Sequence, residues 1–214
     1  MTRILFVSLF IATLTMTALS QTQNQPENAP ICNLSLSQAP VIRGIRLGMK
    51  PDEWLKLFPG SAQDEKIKAI LDEPPKPPRY GMKDVVFPQA SGQSQSSYLS
   101  REEFSGVQQV FLTLFDNQIV SVLIYYARYP DIGSPWDDVA QLIPIFSETF
   151  NLPPVSAWHK HSNLTAELTC TGFEMTVSAG NQPIIILTSK SDFREIIRQR
   201  AEADKLKARA AFKP

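Results

Sequence analysis

Val107-Gln-Gln-Val110-Phe-Leu-Thr-Leu-Phe115-Asp-Asn-Gln-Ile119-Val-Ser-Val-Leu-Ile-Tyr-Tyr126 holds two apolar runs separated by a polar break. Runs rich in Val, Ile, Leu, Phe and Tyr, interrupted at Asp116-Asn117, predict a β-hairpin with a two-residue turn. In a straight register, Val110, Leu112, Leu114, Ile119 and Leu123 share one face. Phe111, Phe115, Val120, Val122 and Ile124 share the other. Both faces are apolar, so the hairpin belongs in the middle of a sheet. It is either covered on both sides or offers one side to a partner. The fold class implied is α+β: an antiparallel sheet with helices mainly on one face. Phe111, Phe115 and Val122 are the candidate binding residues.

A second hairpin follows downstream. Leu164, Ala166, Leu168 and Cys170 alternate with Thr165, Glu167 and Thr169. After Thr171-Gly172, Phe173, Met175 and Val177 alternate with Glu174, Thr176 and Ser178. This pattern predicts one wet face and one buried face. Pro183 to Thr188 supplies a third strand after the Gly180-Asn181-Gln182 turn. Helices are predicted at Pro51–Phe58, with Pro51 at the first position and Asp52 and Glu53 in the first turn, and at Ala62–Leu71. Another runs from a Ser134-Pro135-Trp136-Asp137 start to Phe150, kinked at Pro144. A final helix begins near Ser191. Asp116-Asn117-Gln118-Ile119 is echoed in Gly180-Asn181-Gln182-Pro183-Ile184, which suggests two tandem helix–hairpin units sharing one sheet. The division expected is a first unit over 41–130, with Pro-rich (73–78) and Gln/Ser-rich (88–97) loops, and a second over 131–190. A basic helix and tail occupy 191–214.

Residues 1–20 have the layout of a secretory signal peptide: basic Arg3, an apolar run from Ile4 to Leu19, and small Ala18 and Ser20 before a polar stretch. An uncleaved anchor would need roughly 20 spanning residues; the run is shorter and carries several Ser and Thr. Residues 21–40 are expected as an extended arm, and no transmembrane segment remains after cleavage. The whole chain carries 21 basic and 21 acidic side chains, and removal of the signal takes only Arg3. So balanced a charge argues against nucleic acid as a partner. The two cysteines, Cys32 and Cys170, predict a disulfide in an oxidising compartment, periplasmic or secreted.

Chemistry-bearing motifs are few. Trp158-His159-Lys160-His161 holds both histidines. At i, i+2 they could share a metal on a strand, with Asp131 or Asp137 supplied by folding. A solvated loop explains them more simply, so no metal or cofactor is assigned. The acidic pairs Glu102-Glu103 and Asp137-Asp138 are adjacent in sequence and do not face each other. No nucleophile elbow, phosphate loop or His-Glu-x-x-His is present. Trp54 and Trp136 are expected as core anchors.

Gly44-Ile-Arg-Leu-Gly48-Met49-Lys-Pro-Asp-Glu53 resembles the Leu-x-x-Gly-Met-(three residues)-acid/Gln segment that opens the helix–hairpin unit of SmpA/OmlA-type outer-membrane assembly lipoproteins. Their fold is similar to that of β-lactamase-inhibitor protein, built from two tandem helix–sheet units. The chain departs from the lipoproteins in lacking a lipid-attachment Cys and in holding two units rather than one. It also resembles exported bacterial proteins ending in Phe-Lys-Pro, here Phe212-Lys213-Pro214, a likeness that implies no activity. The first resemblance implies an exported, non-enzymatic protein-interaction module of the bacterial envelope or secretome, with an unknown protein partner. The alternatives are a small hydrolase or metal-dependent enzyme using His159 or His161, or a carrier of an apolar ligand held between sheet and helices.

Overall fold

The computed structural model describes residues 31–89, 98–128 and 136–212. The signal segment, the first half of the 21–40 arm, most of the Gln/Ser-rich loop, Asp131, the Ser134-Pro135 pair and the final Lys213-Pro214 lie outside the described residues. Four α-helices are described: α1 (Pro51–Trp54), α2 (Glu65–Asp72), α3 (Val139–Thr149) and α4 (Phe193–Ala211). The strands are β1 (Met82–Pro88), β2 (Val107–Phe115), β3 (Gln118–Tyr126), β4 (His159–Lys160), β5 (Thr165–Thr169), β6 (Phe173–Ser178) and β7 (Ile184–Ser189). The fold is α+β, with every adjacent pair of strands antiparallel.

The strand order is β1-β2-β3-β7-β6-β5-β4. It reads outward from the central β3–β7 pair, which joins the last strand of a β1-β2-β3 meander to the last strand of a β5-β6-β7 meander. Each meander is preceded by helical structure, α1 and α2 in the first case and α3 in the second. The echoed Asn117 and Asn181 occupy corresponding turns, leading into β3 and β7. The weak internal repeat therefore falls on the two strands that zip the halves together.

Helix starts follow local chemistry. Pro51 opens α1, and the Glu53 carboxylate accepts the Lys50 N–H at 2.9 Å. The helix tightens into a 3-10 turn over Leu55–Leu57, so the expected 51–58 helix is present in two geometries. Ahead of α2, the Asp64 carboxylate accepts the N–H groups of Lys66 and Ile67 at 2.7 and 3.2 Å. The earlier start expected at Ala62 is instead a separate 3-10 turn over Ser61–Gln63. The start expected for α3 is corrected too. Trp136 and Asp137 precede the helix, and Asp138 is its N-cap, accepting the Ala140 N–H at 2.7 Å and the Lys160 ammonium at 3.0 Å. The ion pair with Lys160 forms only once β4 has been brought to the start of the helix. Pro144 sits inside α3, as expected.

Helices α1, α2 and α3 cover one face of the sheet. Val85, Phe87, Val110, Leu112, Leu114, Val122, Ile124, Val177, Leu187, Leu168 and Met175 line that face and are all 0–1% exposed. At its β1 end an aromatic group closes the core: Phe58 stacks on Phe87 at 3.8 Å and on Phe104 at 5.1 Å, with Trp54 and Tyr98 edge-on to Phe87. Trp54 is an anchor as expected, although its indole N–H is buried with no hydrogen-bond partner.

The described part of the arm is built into the fold. Cys32 and Cys170 are disulfide-bonded with a Cα separation of 4.5 Å. Thr171 and Gly172 donate backbone N–H bonds to the Cys32 and Leu34 carbonyls. Gly172 permits this approach, since a Cβ there would lie 2.0 Å from the Leu36 nitrogen. The Pro-rich segment 73–78 stays on the surface, as its composition predicts.

Candidate functional site

The hairpin that carries the candidate binding residues does not keep a straight register. Asp116 and Asn117 form the two-residue turn, both with positive φ (49° and 67°). Leu114 pairs with Ile119, but Thr113 pairs with Ser121, leaving Val120 without a partner in the ladder. One extra residue in β3 reverses the facing of everything after it. Val122 and Ile124 therefore point into the core, and Leu123 and Tyr125 take their place beside Phe111. This corrects the expected faces: Val122 is 1% exposed and cannot contribute to a surface shared with Phe111.

The outer face that results has an ordered cross-strand row. Val86, Phe111, Leu123, Ile186, Thr176, Glu167 and His159 are direct partners in successive strands. The row is apolar over β1, β2, β3 and β7 and polar over β6, β5 and β4. Tyr125 extends the apolar part, with its ring edge-on to Phe111 at 5.7 Å. Phe111, Leu123, Tyr125 and Ile186 are half-buried, and Val86 is 38% exposed. Toward the Asp116 turn the face becomes hydroxylated: Ser121 and Thr188 hydrogen-bond across β3 and β7 at 2.8 Å. Thr113 and Ser121, polar residues within otherwise apolar runs, were the sequence signal that could have placed Leu123 and Tyr125 on this side.

Phe115 lies on the same side but is covered. Phe193 of α4 packs on its ring at 4.7 Å, and the Arg200 guanidinium lies 5.2 Å from its centroid. Arg200 also forms two bonds with the Asp116 carboxylate, at 2.6 and 2.8 Å, and one with the Tyr80 carbonyl at 2.7 Å. The hydrogen bond to Asp116 raises the Arg200 pKa. Behind the turn, Lys83 is buried and donates to the Leu71 carbonyl at 2.6 Å and to Asn117 at 2.9 Å. Burial lowers its pKa. These contacts fix the turn and dock α4 across one end of the outer face, beyond Phe111. An open groove of about 780 Å³ lies beneath the start of α4, between it and Met82, Glu174 and Thr188.

The histidines stand at the polar end of the row. Their rings meet edge-on at 4.6 Å, and His161 Nε2 lies 3.2 Å from Glu167 Oε2. Glu167 also accepts a bond from the Thr169 hydroxyl. Asp138, the nearest capping carboxylate in the second half, is engaged with Ala140 and Lys160 instead, and its pKa is lowered chiefly by the Ala140 N–H. Among the described residues, no group of three or more His, Cys, Asp or Glu is placed to hold a metal ion. Glu102 and Glu103 lie on an exposed 3-10 turn. No helix among the described residues is long and apolar enough to cross a membrane.

In comparisons with known proteins, no family model, curated protein or solved structure matched the chain.

Proposed function

We propose that this chain is an exported, non-enzymatic protein-interaction module of the bacterial envelope or secretome. It binds an apolar surface of a partner protein through the outer sheet face around Phe111. The carrying observation is the row Val86–Phe111–Leu123–Ile186, four apolar side chains in register on four adjacent strands, opposite the face that α1, α2 and α3 cover. A β-sheet face that is only solvated gains little from such a row. Aromatic and branched side chains in register on a rigid sheet instead suit docking, where little side-chain freedom is lost on association. Export is supported by the signal-peptide layout of residues 1–20 and by the Cys32–Cys170 disulfide. The likeness of residues 44–53 to the assembly lipoproteins supports an envelope setting.

The test is cross-linking capture from a bacterial envelope extract, followed by direct titration of the purified partner. Wild type and Phe111→Asp are compared after near-ultraviolet circular dichroism has shown both to be folded. A partner that binds wild type and loses at least about tenfold in affinity with Phe111→Asp supports the face. A partner bound equally by both moves the interface elsewhere, and the absence of any saturable partner removes the proposal.

A further inference from the structure

A second surface, on the helix-covered side, lies where the two halves of the molecule meet. Two adjoining cavities of about 220 and 370 Å³ share Arg43, Tyr126, Phe146 and Ile185 as lining. Trp136 lines the smaller cavity and Phe150 the larger. The larger is at the lower end of the roughly 300–1,000 Å³ usual for small-molecule sites, and the smaller falls below it. The lining is mainly aromatic and aliphatic, with the hydroxyls of Ser105, Ser178 and Thr149, and Arg43 is the one charged residue among the described residues that line either cavity.

Arg43 is held there at a backbone cost. Ile42 and Ile45 exchange two 2.9 Å backbone bonds around the two-residue turn Arg43-Gly44, and both turn residues have positive φ (54° and 80°). Such a turn favours Asn or Gly at the position Arg43 occupies. The Arg43 guanidinium lies 5.4 Å from the Tyr126 ring centroid and donates one bond, from Nη1 to the Glu103 carbonyl at 3.0 Å. Among the described residues it has no carboxylate partner. The result is an apolar groove with a single unneutralised fork donor at its edge.

We infer that this groove binds an alkyl monocarboxylate, with the carboxylate on Arg43 and the chain along Tyr126, Phe146 and Phe150. A carboxylate matches the donor fork of a guanidinium, and the single cation selects a single negative charge. The site is on the opposite side of the sheet from Phe111 and does not depend on the proposed interaction face.

The test is isothermal titration of the disulfide-bonded chain with dodecanoate below its micelle concentration. Dodecanol and a short peptide with an apolar C-terminus are titrated in parallel. The variants are Arg43→Asn, which suits the turn, Ile145→Lys, which places a long side chain at the exposed edge of the larger cavity, and Phe111→Asp on the other face. Dodecanoate is expected to bind at one site per chain. Arg43→Asn should weaken it roughly 10- to 100-fold, the usual loss for a hydrogen bond to a charged group, while the melting temperature stays within a few degrees. Ile145→Lys should also weaken binding, Phe111→Asp should leave it unchanged, and dodecanol should bind no better than dodecanoate binds Arg43→Asn. The proposal is overturned if dodecanoate shows no saturable binding or if dodecanol matches it on wild type. It is also overturned if Arg43→Asn and Ile145→Lys are both silent, or if the peptide saturates the site where dodecanoate does not.

Discussion

Two hairpins of this sheet, β2–β3 and β5–β6, solve the same problem with different means. In β5–β6 the ladder is unbroken from Thr165–Ser178 to Thr169–Glu174, and polar residues alternate with buried ones. In β2–β3 the ladder is interrupted twice, and neither side is polar throughout. The alternating hairpin has its register imposed by burial, since a slip of one residue would turn Leu168 and Met175 to water. The bulged hairpin has apolar residues for both faces and no such penalty, so other contacts must fix it. Those contacts are the positive-φ turn, Lys83 and Asn117 behind it, and Arg200 on Asp116. The second hairpin is pinned differently, by the disulfide and the backbone bonds to the arm at its Thr171-Gly172 turn. An apolar surface can thus be left on one side of β2–β3 only because its register is held from outside the ladder.

Substitutions should expose that difference, beginning in the bulged hairpin. Val122→Asp places an unpaired carboxylate in the core and should cost about 5 kcal/mol or more, leaving no cooperative unfolding transition. If Val122→Asp unfolds no more easily than Phe111→Asp in urea, the bulge is misplaced. In the alternating hairpin, Cys32→Ser with Cys170→Ser opens a loop with a sequence separation of 138. The loop-closure estimate is a loss of about 4–5 kcal/mol, read from the midpoint of denaturant unfolding. A loss below about 1 kcal/mol would mean that backbone pairing alone holds the arm.

Gly172→Ala forces a Cβ against the Leu36 backbone, and overpacking of this kind costs roughly 1–3 kcal/mol. The same substitution at Gly106, which has nothing within 4 Å of its Cβ position, meets no neighbour and pays only for its positive φ. Thermal melts of the two variants should separate by several degrees. Phe111→Asp removes a cross-strand pair on the outer face and should cost about 1 kcal/mol. A much larger loss would show that Phe111 serves stability and would weaken its use as a binding probe.

The smallest effect concerns acid. Each half has an aspartate capping its helix, Asp64 for α2 and Asp138 for α3, and both have lowered pKa values. For Asp64 the leading cause is the Tyr98 hydroxyl, with burial opposing it and the Ile67 and Lys66 N–H groups adding to it. A carboxylate with a depressed folded pKa adds stability above its unfolded pKa, near 4, and loses it as pH falls through the folded value. Wild-type stability should therefore fall as pH drops below about 4. Tyr98→Phe raises the folded pKa of Asp64 toward the ordinary value, so its stability should change less between pH 6 and pH 3. Urea midpoints at the two pH values measure this, and a profile unchanged by Tyr98→Phe would remove Tyr98 as the cause.

Much of the first half's helical structure was legible because its signals are local. Pro51 with Glu53 starts α1, and the periodic Ile67, Ile70 and Leu71 mark α2. The strands of β5–β6 were legible through parity. Three features were not. The cap at Asp138 gains its second partner from Lys160, 22 residues later. The bulge at Val120 left no mark among five apolar neighbours, although Thr113 and Ser121 recorded the outer face. Arg43 reads as an ordinary basic residue until Tyr126, Phe146 and Ile185 arrive from distant segments.

The sequence by itself determined most of the element types, though not strand β4 at His159–Lys160, which reads as a loop, together with the antiparallel α+β class and the two cysteines as a pair, because periodicity, caps and turn residues act over a few positions. Tertiary structure alone decided which face Val122 and Leu123 occupy, which of Phe111 and Phe115 α4 covers, and where the groove around Arg43 opens. Those outcomes depend on register and on contacts between segments far apart in the chain, and the energies that fix them do not exist until the sheet has closed.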